Sequence, residues 1–228
     1  MAEYLHHFIF GIFPYITAFF FIVGSLLRFD RDPYSWRSKS SQLLRKKGLV
    51  LGSKLFHIGI LLILAGHLVG LLTPKDVYHA MGITTEAKQL SAMIAGGVFG
   101  VVCFIGMTML IYRRLFDERI RATSSRADIM ILLLLYVQLI LGLSSIFVSA
   151  QHLDGSSMVA LANWAQHIVT FRSGAADFIV DEHIIFKLHI ALGLFIFTIF
   201  PFTRLVHMWS APVGYLARRS YQIVRKHR

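Results

Sequence analysis

The chain has 228 residues, 56% of them hydrophobic, with 19 Phe, a mean hydropathy of +0.63 and a formal net charge of +11. That apolar content reads as an integral membrane protein rather than a water-soluble domain. The positive charge does not read as a nucleic-acid surface, because the basic residues sit in short segments between apolar runs. One cysteine, Cys103, lies within an apolar run, which excludes an internal disulfide, a cysteine-ligated iron–sulfur or zinc site, and the paired-cysteine attachment of a c-type haem.

The opening MAEYLHH has no basic region ahead of its apolar run, so no cleaved signal peptide is expected. Residues 8–27 carry no charge and predict the first membrane-spanning helix, with Pro14 as a kink or an early-turn residue. The second span is expected at 48–72, ended by Thr73 and Pro74 because proline disfavours helix in the residue before it. A third uncharged run, 89–112, contains Gly96, Gly97, Gly100 and Gly106, small residues that let helices or a flat cofactor approach closely. The fourth span is expected at 129–150. A longer polar connection with His152, Trp164 and His167 then leads to the fifth, at 182–205 and bent near Pro201, and a basic tail follows at 206–228. The fold class expected is all-α, a single domain of five transmembrane helices.

Lys and Arg set the orientation. Segments 28–47, 113–126 and 204–228 carry seven, five and six of them, while 71–92 and 151–188 carry two each. Eighteen against four is a strong positive-inside asymmetry, predicting the N-terminus outside and the C-terminus in the cytoplasm.

Span two reads KLFHIGILLILAGHLVGLLT over 54–73 and holds His57 and His67, which hydrocarbon would reject without a partner. The apolar run near the C-terminus is bracketed by His189 and His207. With the predicted orientation, His67 and His189 share the outer depth, and His57 and His207 the inner one. Each pair offers two imidazoles from antiparallel segments, which suits an iron whose porphyrin supplies four in-plane nitrogens, so the pattern predicts two non-covalent b haems. Helix–helix hydrogen bonding and proton relay are the other uses of such histidines. The axial fit is imperfect, since ten helical residues rise about 15 Å and eighteen about 27 Å. Tilt and the bend at Pro201 have to absorb the difference. Arg204 and Lys54 lie at membrane ends, where they snorkel to headgroups or pair with haem propionates. The remaining histidines, His6, His7, His79, His152, His167, His183 and His227, read as solvated.

The patches LFHIGILLILAGH at 55–67, SLLRFDRDPYSWRSKSSQL at 25–43, SAQHLDGS at 149–156 and FPFTRLVHMWSAP at 200–212 resemble the gamma, cytochrome b, subunit of membrane-bound respiratory nitrate reductases. The resemblance spans nearly the whole chain. It implies a multi-pass protein of the cytoplasmic membrane with two haem b groups, on His57, His67, His189 and His207. It also implies oxidation of menaquinol or ubiquinol near the outer face, with protons released outside. Electrons would pass to cytoplasmic iron–sulfur and molybdenum subunits, because this chain has no nitrate-reducing site of its own. The resemblance further makes Lys88, in the EAKQ segment, a quinol contact, and Gly66 beside His67 is a second candidate because it leaves room for a ring. The residues alone leave open a related di-haem quinol oxidase subunit serving a heterodisulfide or sulfite reductase, a proton-coupled transporter, and a bare anchor subunit.

Overall fold

The computed structural model describes residues 1–36, 41 and 43–210. His227, the tail from 211 onward, and residues 37–40 and 42 of the first basic segment lie outside the described residues. Five helices are long and apolar enough to cross a membrane: Glu3–Arg31, Leu49–Leu72, Thr85–Phe116, Arg126–Ser149 and Ile184–Phe202. The described residues contain no strand. Each span falls within a few residues of its expected place, and the first and third extend further at both ends.

The first span is interrupted. α1 (Ala2–His7) and α2 (Phe13–Arg31) are joined by one π-helical stretch at Phe8–Ile12. The cause is local: Pro14 has no N–H to return to the carbonyl of Phe10, four residues back. That carbonyl instead accepts from Trp164 Nε1 at 2.9 Å. A single proline thus ties the first span to α8 (Ser156–Val169) in the distant polar connection.

Span two is α3 (Leu49–Leu72), followed by the short α4 (Lys75–Ala80). Span three is α5 (Thr85–Phe116), and its most intimate partner is α3. A Cβ on Gly59 would stand 2.7 Å from the Cys103 backbone, and one on Gly106 would run into the Phe56 amide and the Gly52 carbonyl. Hydrocarbon drives no helix association of its own, so backbone-to-backbone packing through small residues is what holds such a pair. Of the four expected glycines, only Gly106 and Gly100 are tight, Gly100 against Leu143. Gly96 and Gly97 meet only the tip of Ile146.

The fourth span is α7 (Arg126–Ser149), preceded by the short α6 (Glu118–Thr123) and opened by a reciprocal cap between Ser125 and Asp128. The fifth departs from expectation. α9 (Ile184–Ile199) stops at Ile199, a 3-10 turn covers Phe200–Phe202, Thr203 is extended, and a second 3-10 stretch runs over Arg204–Ser210. Pro201 cannot continue the hydrogen-bond ladder, so the bend expected there is a break. His207 lies beyond it, which voids any helical-phase relation to His189.

Contacts run from α3 to α5, α5 to α7, α7 to α9 and α9 to α2. α3 and α9, which carry three of the four candidate histidines, share no comparable packed interface. At one end the bundle is capped by α8 and a 3-10 turn at Ala175–Ile179, whose core joins Phe10, Trp164, Ala165, Ala176 and Ile179 to Leu71 and Ile190.

Candidate functional site: two histidine pairs between separated helices

α3 carries His57 and His67, and both are exposed within the isolated chain. Opposite them stand the two remaining histidines. The His67 and His189 ring centroids are 6.0 Å apart with planes at 33°, and those of His57 and His207 are 6.4 Å apart at 74°. The pairing expected from depth is the pairing by proximity. The segment from His189 to His207 is broken after Ile199, so a single helical rise over eighteen residues does not describe it.

Three of the four rings are prepared in the same way. His57 Nδ1 donates to the Ser53 carbonyl at 2.7 Å, His67 Nδ1 to the Ile63 carbonyl at 2.8 Å and His207 Nδ1 to the Arg204 carbonyl at 2.6 Å. An imidazole that gives its Nδ1 proton to a carbonyl keeps Nε2 as a bare lone pair, the form that ligates metal. His189 is different. Its Nδ1 is buried without a hydrogen-bond partner, and the Gln138 amide donates at 2.9 Å to its carbonyl and lies 3.4 Å from its Nε2. A Cβ on Gly142 would sit 3.0 Å from His189 Cε1, so α7 has no side chain where this ring stands.

Two imidazoles bound to opposite sides of one metal, with bonds of about 2 Å, have ring centroids about 6 Å apart. Both pairs have that spacing. Among the described residues no cluster of three or more His, Cys, Asp or Glu forms a metal site. A two-donor site leaves a bare ion under-coordinated. The donor set therefore suits a metal that arrives with most of its coordination already filled.

The auxiliary candidates divide. Gly66 has nothing within 4 Å of where its Cβ would be, so it packs against nothing in this chain and leaves a bare stretch of α3 beside His67. Lys88 donates to the Thr73 carbonyl at 3.2 Å and stands 4.1 Å over the Tyr78 ring, at the same end of α3 as His67. Arg204 turns toward Asp128, 3.8 Å away, in a cluster that Arg114 joins at 3.9 Å. Lys54 is exposed.

Several histidines expected to be solvated have structural work. His6 Nε2 bonds to the Ala176 carbonyl at 2.9 Å, His79 Nε2 to Thr85 Oγ1 at 3.2 Å, and His167 packs its ring on Phe178. His183 Nδ1 accepts from the Ile185 amide and so caps α9. Sequence reasoning also passed over Gln138 and Asp128. A polar residue inside an otherwise apolar span was the available signal for Gln138, and an acid opening a span the one for Asp128.

The sequence model of the nitrate reductase gamma subunit matches residues 6–227. The chain belongs to that family. It is 52% identical over 228 residues to "Respiratory nitrate reductase 2 gamma chain" of Escherichia coli (strain K12), covering 100% of both chains. It is also 52% identical over 223 residues to "Respiratory nitrate reductase 1 gamma chain" of the same organism, covering 98% of each. "Nitrate reductase gamma chain" of Bacillus subtilis (strain 168) is 41% identical over 216 residues, 95% of this chain and 96% of the relative. This gamma subunit is therefore a membrane component of a respiratory nitrate reductase, an oxidoreductase complex whose catalytic work involves partner subunits.

Proposed function

We propose that this gamma subunit takes electrons from a membrane quinol and conducts them across the bilayer to the catalytic subunits of its nitrate reductase. The observation that carries this reading is the presence of two imidazole pairs, 6.0 and 6.4 Å apart, between α3 and the segment formed by α9 and the 3-10 stretch after it, which shares no extensive packed interface with α3. In this reading His67 and His189 hold one b haem near the outer face, and His57 and His207 hold the second near the cytoplasmic face. Haem would supply the remaining coordination that the two-histidine sites lack and a one-electron relay at each pair.

The protein's own residues do the rest. Ser53, Ile63 and Arg204 fix ring tautomers through their carbonyls. The bare backbone at Gly66 admits a flat ring beside His67, and the Lys88 ammonium offers positive charge and a hydrogen bond to a quinol oxygen. Arg204 would share its guanidinium between Asp128 and a propionate. The eighteen basic residues of segments 28–47, 113–126 and 204–228 mark the cytoplasmic side, where the iron–sulfur and molybdenum partners dock. Protons released at the outer site stay outside. Electrons moving inward do work against the membrane potential, about 2.3 kcal/mol per charge for each 100 mV.

The test is a dithionite-reduced minus oxidised optical spectrum of the purified complex, with haem counted per gamma chain by pyridine haemochrome. Two b haems reduced by a quinol analogue are expected. Correctly inserted protein without haem would overturn the reading.

A further inference from the structure

His207 stands on no regular helix, so its position depends on how the chain is held after Ile199. Across the break, Pro201 and Thr203 are buried residues whose carbonyls leave the helical ladder, and buried carbonyls need donors from elsewhere. One side chain serves both. Arg28, on α2, donates from Nη1 to the Pro201 carbonyl at 2.6 Å and to the Thr203 carbonyl at 2.8 Å. Its Nε donates to Ser35 Oγ at 2.9 Å, which in turn donates to the Asp32 carbonyl at 2.9 Å, fixing the guanidinium from behind.

The neighbouring residues on α2 repeat the contact. A Cβ on Gly24, one turn before Arg28, would stand 2.9 Å from Pro201 Cγ. Phe21 sets its ring 4.9 Å from Phe200 and 5.4 Å from Trp209, one on each side of the break. Residues 21, 24 and 28 share one helical face. That face grips the break, and the 3-10 stretch it releases at Thr203 turns His207 toward His57.

We propose that Arg28 is a positioning residue for the inner histidine pair, its guanidinium clamping the Pro201 and Thr203 carbonyls so that His207 stands where it can share a metal with His57. Its spectroscopic consequence rests on the haem reading, while the clamp itself does not. A charge that only set topology or met headgroups would be replaceable by lysine. A planar guanidinium that holds both carbonyls from Nη1 while its Nε is anchored on Ser35 is not, because lysine ends in a single nitrogen on a flexible stem and cannot make both attachments at once.

Three variants of the detergent-purified complex test this: Arg28→Lys, Arg28→Gln and Ser35→Ala. Each is measured by EPR of the oxidised low-spin haems and by hydrogen exchange of peptides covering residues 200–210. Arg28→Lys should insert normally and leave the outer haem signal unchanged. It should shift the inner haem signal and speed exchange at 200–210 about tenfold, the scale of one lost charged hydrogen bond. Arg28→Gln should do the same more strongly and Ser35→Ala more weakly, and should Arg28→Gln fail to insert, the other two carry the test. An unchanged inner signal in Arg28→Lys, with two haems present, overturns the proposal and leaves the haem reading intact. Wild-type complex that lacks haem, while Arg28→Lys still loosens 200–210, overturns the haem reading and keeps the clamp.

Discussion

His67 and His189 stand on two regular helices under an apolar cap, whereas His57 faces a histidine that stands beyond a helix break at the basic end. The cap is built from Trp164, Ala165, Ala176 and Ile179 closing on Phe10, Leu71 and Ile190. At the basic end polar groups replace it: Arg28 on backbone carbonyls, Arg113 on Ser41 and the Lys47 carbonyl, Arg45 on Asp117, and Asp128 between Arg114 and Arg204. One end is held mostly by burial, with Trp164 and Lys88 each on a backbone carbonyl, and the other by cations on backbone carbonyls and carboxylates. Changes at the two ends should therefore fail in different ways.

The largest effect is expected from removing a ligand candidate. His67→Ala or His189→Ala should lower haem from two to one per chain and abolish quinol oxidation while the complex still assembles, read by pyridine haemochrome and subunit co-purification. Retention of both haems and normal turnover would undo the assigned pairing.

Gly59→Leu tests the shared foundation of both ends. Its side chain must enter the Cys103 backbone, so overpacking of about 1–3 kcal/mol or more should lower thermal stability and perturb both pairs together. A loss confined to one haem would show that the α3 and α5 contact is not what sets their common frame.

Gly66→Ala separates packing from ligand access. The new methyl group meets no protein atom within 4 Å, so thermal stability should not change. The KM for quinol should rise several-fold, within the roughly 1–3 kcal/mol that a misplaced methyl group costs in a binding pocket. An unchanged KM would remove Gly66 from the quinol site.

Trp164→Phe keeps the apolar body and removes the donor to the Phe10 carbonyl, at a cost of about 1 kcal/mol. The outer haem signal should broaden and the inner one should not. Equal effects on both would contradict the separate support of the two ends.

The smallest effect is expected at Asp117, whose carboxyl is held below the usual carboxylate range chiefly by its hydrogen bond from Arg45. A depressed folded pKa contributes stability above the unfolded value, and that contribution is lost as pH falls through the folded one. Arg45→Gln should therefore flatten the acid limb of a stability-against-pH curve and leave both histidine pairs unperturbed. An unchanged acid limb would show that this pair does not tether the basic loop.

Much of the architecture was legible in the chain because a bilayer enforces local rules. A span must be apolar over a fixed length, so five spans could be placed to within a few residues, and a histidine inside one is conspicuous. His57, His67 and His189 were visible for that reason, and His207 because it closes the last apolar run opposite His189. Arg28 was not, because a basic residue at the end of a span looks the same whether it meets headgroups or clamps a neighbouring helix. The helix cap made by exposed His183 and the carbonyl bond made by His6 were not legible for the same reason, since capping a helix or bonding to a carbonyl leaves no periodic trace.

The sequence by itself determined the number of spans, which histidines lie in or beside them and the two prolines that interrupt helices. Each depends on the composition of one segment or on the covalent structure of one residue. Only the tertiary structure decided that α3 rests on α5 through Gly59 and Gly106 and stands clear of α9. It also decided that Trp164 answers the break at Pro14 and Arg28 the break at Pro201. Those partners lie 154 and 173 residues away from the carbonyls they satisfy, and a freed carbonyl specifies only that some donor must reach it, not which.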